Sequence, residues 1–229
     1  MKKILLIDLD DTLLDFSKSE YVAVTQTLRS FGLPATDEVA ANYKRFNVQV
    51  WKEFELGTLS RADLTHKRFD LLLDWLGVKE PNGVLLNEAY CQTLARQHFV
   101  MEGAMEFLQK ISLYYRVIGI SNGTSKVQWQ RIKDSGLDKQ MERIFVSEDI
   151  NVRKPTVAFF DYVAAHTPSY RKEDVIVVGD SLSSDIKGGN DYGVPTVWFN
   201  PSSATSDLPT YSVSSFEKLF SLLCSFLEK

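Results

Sequence analysis

Cysteine is nearly missing from these 229 residues: Cys91 and Cys224 are the only two. That is too few for a disulfide framework or a zinc site, and it suits packed or partly exposed thiols of a reducing compartment. Histidine is as sparse. His66, His98 and His166 are scattered without metal-ligand spacing, so none is assigned a role. No apolar stretch approaches the ~20 residues that span a bilayer. Charge is mixed, with 26 basic residues against 30 acidic ones and no block of either sign, which excludes an arm for nucleic acid. Met1-Lys2-Lys3 looks like the start of a signal peptide, but Asp8 and Asp10 interrupt the apolar region after a few residues. The expected address is the cytoplasm, with neither membrane nor nucleic acid as partner. Internal repeats and low-complexity tracts are absent as well.

What is present is a composition that can bury a proper core: 44% of the residues are apolar, enough for one large domain or a domain with a sizeable insertion. From Val117 onward, apolar runs alternate with amphipathic stretches: Val117 to Ile120, Ile144 to Val146, Val175 to Val178, then Thr196-Val197-Trp198-Phe199. Runs apolar on both faces and separated by helix-length segments predict a parallel sheet covered by helices. Between the first such run and about Val100 the periodicity changes. Ser17-x-x-Glu20 and Ser60-x-x-Asp63 read as capping boxes, and Gly32, Gly57 and Gly77 as helix stops. Tyr43, Phe46, Val50 and Phe54 recur at three- and four-residue steps, the buried face of a helix. The predicted fold is α/β: a Rossmann-like doubly wound parallel sheet from residues 1–15 and 100–229, carrying an all-helical insertion over 16–99. Pro201 to Ser215 reads as a surface loop before a C-terminal helix.

Polar groups gather where the apolar runs end. Lys3-Ile4-Leu5-Leu6-Ile7 runs into Asp8-Leu9-Asp10-Asp11-Thr12, so two carboxylates two residues apart arrive at the end of a strand. Burying such a pair costs several kcal/mol unless a cation or donors compensate. Three further runs end in the same manner: Val117 to Ile120 leads into Ser121-Asn122-Gly123, Ile144 to Val146 precedes Arg153-Lys154-Pro155, and Val175 to Gly179 delivers Asp180, with Asp185 five positions on. In parallel sheets ligands bind beyond the C-terminal ends of the strands, where all four clusters fall.

In this order and strand context, the four clusters resemble the four motifs of the haloacid dehalogenase superfamily, over nearly the whole chain. The resemblance implies a helical cap for residues 16–99 and phosphoryl-transfer chemistry for the strand ends. Asp8 would be the nucleophile that forms an aspartyl-phosphate, and Asp10 would protonate the leaving oxygen and then deprotonate water. Ser121, with Asn122 and Gly123 after it, would clamp phosphoryl oxygens, and Lys154 would set a cation against both the phosphoryl group and the carboxylates. Mg²⁺ is the implied cofactor, held by Asp8, Asp180 and the backbone carbonyl of Asp10, with Asp185 orienting a metal-bound water or Lys154. Thr12 is expected to shape the nucleophile loop and Asp11 to turn it.

Asp10 also separates branches of the superfamily, because dehalogenases attack carbon, release no oxygen and have no acid there. A phosphomonoester hydrolase is therefore expected. The segment Tyr43 to Phe69, with Asn47, Trp51, Gly57-Thr58-Leu59-Ser60 and Arg68-Phe69, is similar to the bacterial pyrimidine 5'-nucleotidases, as are Trp198-x-Asn200-Pro201 and Pro209-Thr210-Tyr211. Tyr192 departs from that pattern, since a small residue usually precedes the glycine there, and it puts close packing of its helix in doubt. The substrate implied is a nucleoside monophosphate. A sugar-phosphate phosphatase or phosphoglucomutase-like transferase is one alternative, and a non-catalytic module binding a phosphorylated ligand is another. Phe46, Trp51, Phe54 and Phe69 are candidates to stack on a base, although aromatics at helical spacing are more often core.

Overall fold

A computed structural model describes residues 2–202 and 204–227. Met1 and residues 228–229, which end the expected core segments, and Ser203 within the expected 201–215 loop, lie outside the described residues. Strand β1 (Lys3–Asp8) leads into four helices, α1 (Phe16–Ser30), α2 (Asp37–Glu55), α3 (Arg61–Leu76) and α4 (Gly83–Ala95). Helix and strand then alternate: α5 (Ala104–Ile111), β2 (Tyr115–Ser121), α6 (Ser125–Ser135), β3 (Arg143–Val146), α7 (Ser147–Ile150), α8 (Val157–Ala165) and β4 (Val175–Gly179). After β4 a π turn (Leu182–Ile186) continues into α9 (Lys187–Tyr192), followed by β5 (Thr196–Phe199), β6 (Tyr211–Val213) and α10 (Phe216–Ser225). The chain separates into two compact units, Met1–Asp15 with Val100–Lys229, and Phe16–Phe99.

In the first unit the strands form one parallel sheet in the order β3-β2-β1-β4-β5-β6, the doubly wound arrangement. Its period of two is visible in the packing. Leu5, Ile7, Val117, Ile176 and Val178 enter one apolar layer with Phe107, Phe216 and Leu219, whereas Ile4, Leu6, Ile118, Val175 and Val177 enter the other with Phe159 and Phe160. Burial on both faces is why these strands read as continuous apolar runs rather than alternating ones. Each fully buried Leu or Ile contributes about 2 kcal/mol, so a charge at Leu6 would break the layer.

Three sequence expectations need correction in this unit and the next. Residues 211–213 are not loop but a sixth strand, β6, paired with β5 through Val197↔Tyr211 and Phe199↔Val213. Ser17 is not an N-cap, because α1 already begins at Phe16; the Ser17 hydroxyl accepts a hydrogen bond from Lys44 at 2.9 Å, and Glu20 turns to Asn47. The capping serine of α3 is Ser60, whose oxygen accepts from Asp63 N at 3.1 Å. Tyr192 packs closely after all: it is buried, with its ring 5.3 Å from that of Phe160, and Lys172 Nζ lies 4.6 Å from its centroid.

The second unit joins its four helices through a buried polar chain. Asn47 Nδ2 on α2 donates to Glu20 Oε1 on α1 at 2.6 Å, and Arg68 on α3 donates to Asn47 Oδ1 and to Asn87 Oδ1 on α4, each at 2.8 Å. Around it Tyr43, Phe69 and Tyr90 pack with centroids 4.9–5.5 Å apart. Loss of hydration raises the Tyr43 and Tyr90 hydroxyls above their ordinary range, so both stay neutral. Phe69 and Phe54 are thereby core residues of this unit, Trp51 is half-buried and edge-on to Phe54, and Phe46 is half-buried beneath Arg45.

Candidate active site

Asp8 is the last residue of β1, between β2 and β4, where the strand order changes direction. The chain turns at once. Leu13 N and Leu14 N donate to Leu9 O at 2.8 and 2.7 Å, Asp11 N donates to Leu14 O at 2.8 Å, and Asp11 takes a left-handed φ of 53° that Asp tolerates better than most residues. Asp8 therefore belongs to the strand and Asp10 to the turn. Thr12 is fully buried inside that loop, its hydroxyl without a partner among the described residues.

Lys154 is the central cation. Its Nζ lies 2.5 Å from Asp8 Oδ1, 2.6 Å from Asp185 Oδ1 and 3.3 Å from Ile120 O, and the side chain is 2% exposed. Burial works against its charge, but Asp185 and Asp8 outweigh that cost and hold the ammonium above its ordinary range. Asp8 is shifted the other way. Burial, helped by repulsion from Asp185 and Asp10 and opposed by Lys154, pushes its carboxyl up to about 8. Asp180, only partly exposed, is raised well above its usual value by lost hydration and by the neighbouring Asp8, Asp185 and Asp11. One carboxylate oxygen from each of Asp8, Asp180 and Asp185 falls within 4.8 Å of the others. One lysine against three carboxylates leaves negative charge uncompensated, and protons or a cation must supply the difference.

Local backbone holds the acids in place. Asp185 sits on the π turn, a form frequent at functional sites, where Asp185 N and Ile186 N both donate to Ser181 O. Its Oδ2 accepts from Ser181 N at 3.1 Å. A Cβ on Gly179 would lie 2.2 Å from that oxygen, so the end of β4 must be glycine for Asp185 to come this close. Trp198 Nε1 donates to Asp180 O at 2.6 Å, which ties the acidic turn to β5.

Ser121 ends β2. Its Oγ accepts from Gly123 N at 3.0 Å and from Gln128 Nε2 at 2.9 Å, which occupies both lone pairs and leaves the hydroxyl proton to be donated. The Asn122 carboxamide faces the Lys154 backbone: Nδ2 donates to Lys154 O at 2.9 Å and Oδ1 accepts from Lys154 N at 3.0 Å. Asn122 thus anchors the lysine segment to the end of β2. The Asp10 carboxylate is held from α6, with Arg131 Nη1 at 2.5 Å from Oδ1 and Gln128 Nε2 at 2.8 Å from Oδ2.

The structure brings Asp8, Asp180, Asp185 and Lys154 into one cluster, and links Asp10 to Ser121 through Gln128. Gln128 and Arg131 escape a reading of the sequence. In the polar α6 they look like a solvated face; only their i, i+3 spacing, seven and ten residues beyond Ser121, hints at a shared direction.

Sequence and structure comparisons show the family and the fold. The sequence model of the haloacid dehalogenase-like hydrolases matches residues 2–193, and the chain belongs to that enzyme family. It is 35% identical to the HAD-hydrolase YfnB of Bacillus subtilis over 222 residues, covering 96% of this chain and 94% of YfnB. Pyrimidine 5'-nucleotidase PynA of Streptococcus pneumoniae is 35% identical over 225 residues, 96% of this chain and 94% of PynA. Pyrimidine 5'-nucleotidase YjjG of Escherichia coli is 30% identical over 220 residues, 95% of this chain and 96% of YjjG. The crystal structure of magnesium-bound YfnB superposes with a TM-score of 0.92, covering 97% of this chain and 98% of that one. No helix among the described residues is long and apolar enough to cross a membrane.

Proposed function

We propose that the chain is a magnesium-dependent phosphomonoester hydrolase that acts on nucleoside 5'-monophosphates, pyrimidine ones foremost, through a phosphorylated Asp8. The observation that carries the reading is the Lys154-held Asp8 among three converging carboxylates, with Asp10 two residues on. In the first step an Asp8 oxygen attacks phosphorus, the bond to the ester oxygen breaks, and Asp10 gives its proton to the leaving alkoxide. In the second, Asp10 takes a proton from a water whose oxygen attacks the same phosphorus, which releases inorganic phosphate and restores the Asp8 carboxylate. The Ser121 hydroxyl and Lys154 hold phosphoryl oxygens through both steps.

An all-carboxylate donor set with no His or Cys fits a hard cation. Asp8 and Asp180, with the Asp10 carbonyl, would hold Mg²⁺, while Asp185 aligns Lys154. When bound, the ion supplies positive charge to the carboxylates and to the phosphoryl oxygens. The unit from 16 to 99 is read as the cap that carries selectivity for the rest of the substrate, and the first unit as the catalytic domain. The pyrimidine preference rests on PynA and YjjG. Phosphate release from a panel of esters with Mg²⁺ tests the whole: UMP, dUMP and dTMP should lead. Preference for sugar phosphates would move the reading to sugar-phosphate phosphatases, and no turnover of any ester would leave a phospho-ligand-binding module.

A further inference from the structure

We propose that Gln128 and Arg131 are positioning residues that fix the proton-transfer group Asp10 in register with the phosphoryl clamp Ser121; this rests on the phosphatase reading above. The Arg131 guanidinium only donates, so the atom of Gln128 facing it must be the amide oxygen and the amide nitrogen faces Asp10. That nitrogen has two protons, and Asp10 Oδ2 at 2.8 Å and Ser121 Oγ at 2.9 Å take both. The remaining Gln128 Oε1 accepts from Arg131 Nη1 at 3.0 Å, and the same guanidinium nitrogen holds Asp10 Oδ1 at 2.5 Å. The ring of contacts closes on itself, so no member can rotate without breaking another.

Burial makes the arrangement stiff. The Arg131 side chain is 1% exposed and Gln128 is as deeply buried. A guanidinium withdrawn from water and deprived of its carboxylate is strongly unfavourable, so the pair keeps its geometry. Asp10, by contrast, keeps 27% of its side chain open, and proton transfer needs that access. One rigid helix face thereby sets two distances at once: that of the acid from the leaving oxygen, and that of the Ser121 hydroxyl from the phosphoryl oxygens.

The two residues should leave different kinetic signatures. Arg131 donates to Asp10 directly, whereas it is Gln128 that donates to Ser121, so Arg131→Met should lose activity chiefly where the leaving group needs a proton. We expect about a 100-fold fall in kcat/KM with a nucleoside monophosphate and tenfold or less with p-nitrophenyl phosphate, by the usual worth of general-acid catalysis. Gln128→Leu should lose on both esters, because the clamp serves every phosphoryl group. In an Asp10→Asn background the extra penalty of Arg131→Met on the nucleotide should vanish, since both changes remove one function. Should Arg131→Met not fold, Arg131→Lys carries the same comparison: it keeps the charge but cannot hold Asp10 and Gln128 from one planar group. Equal losses on both esters in a folded Arg131 variant, or full additivity with Asp10→Asn, would overturn the positioning role alone. An unaltered chain that cleaves neither ester would overturn this proposal together with the functional reading.

Discussion

Adding Mg²⁺ to the metal-free protein should release protons, and the structure says from which groups. Burial and its acidic neighbours hold the Asp8 carboxyl at about 8, and Asp180 is raised as well. At pH 7 the raised Asp8 carboxyl favours its protonated form when no metal is bound. A hard cation needs the ionised form, so binding displaces about one proton from Asp8 and a further fraction from Asp180. Apparent affinity should therefore climb as pH rises from 6 to 8. The sign for stability follows from the same shift. A carboxyl raised in the folded state binds more protons there than in the unfolded chain, so the metal-free protein loses stability as pH rises from about 4 to 8. Isothermal titration with Mg²⁺ at pH 7 in two buffers of different ionisation enthalpy reads the released protons directly. An affinity that does not change with pH, and an enthalpy that does not change with buffer, would refute the reasoning.

Lys154→Ala should destabilise the protein by about 3 kcal/mol in denaturant unfolding, because it leaves Asp185 buried without its cation and Asp8 without its donor. Gly179→Ala should keep the fold by circular dichroism yet cut kcat at least tenfold, since the new methyl displaces the Asp185 carboxylate; unchanged turnover would show that Asp185 need not sit where it does. Arg68→Ala should cost about 3 kcal/mol by stranding the Asn47 and Asn87 oxygens, with faster hydrogen exchange confined to residues 16–99.

The α/β class is legible because its strands are buried on both faces: Val175 to Val178 cannot alternate, and such a run bounded by polar segments has few other uses. Strand β6 is not legible for the opposite reason. Tyr211 and Ser212 are exposed at the sheet edge, and a three-residue strand with one buried side chain has no periodicity to detect. In the site, the residues at strand ends stand out because each interrupts an apolar run. Gln128 and Arg131 do not, since their burial comes from α6 lying against the Asp10 turn, a contact 118 and 121 residues apart in sequence. Asn122 was visible as part of a clamp, but its grip on the Lys154 backbone depends on the same long-range meeting of loops. Tyr192 looked too bulky for its helix; stacking on Phe160 gives it a place that composition could not reveal.

The central claim is that Asp8 itself takes the phosphoryl group. Rapid acid quench during turnover of a nucleoside monophosphate with Mg²⁺, followed by peptide mass spectrometry, tests this most directly. One added phosphoryl group, labile to hydroxylamine, is expected on the peptide that contains Asp8, and none in Asp8→Asn, which should be folded and inactive. Steady turnover by a folded Asp8→Asn protein, or the label on a different residue, would contradict it.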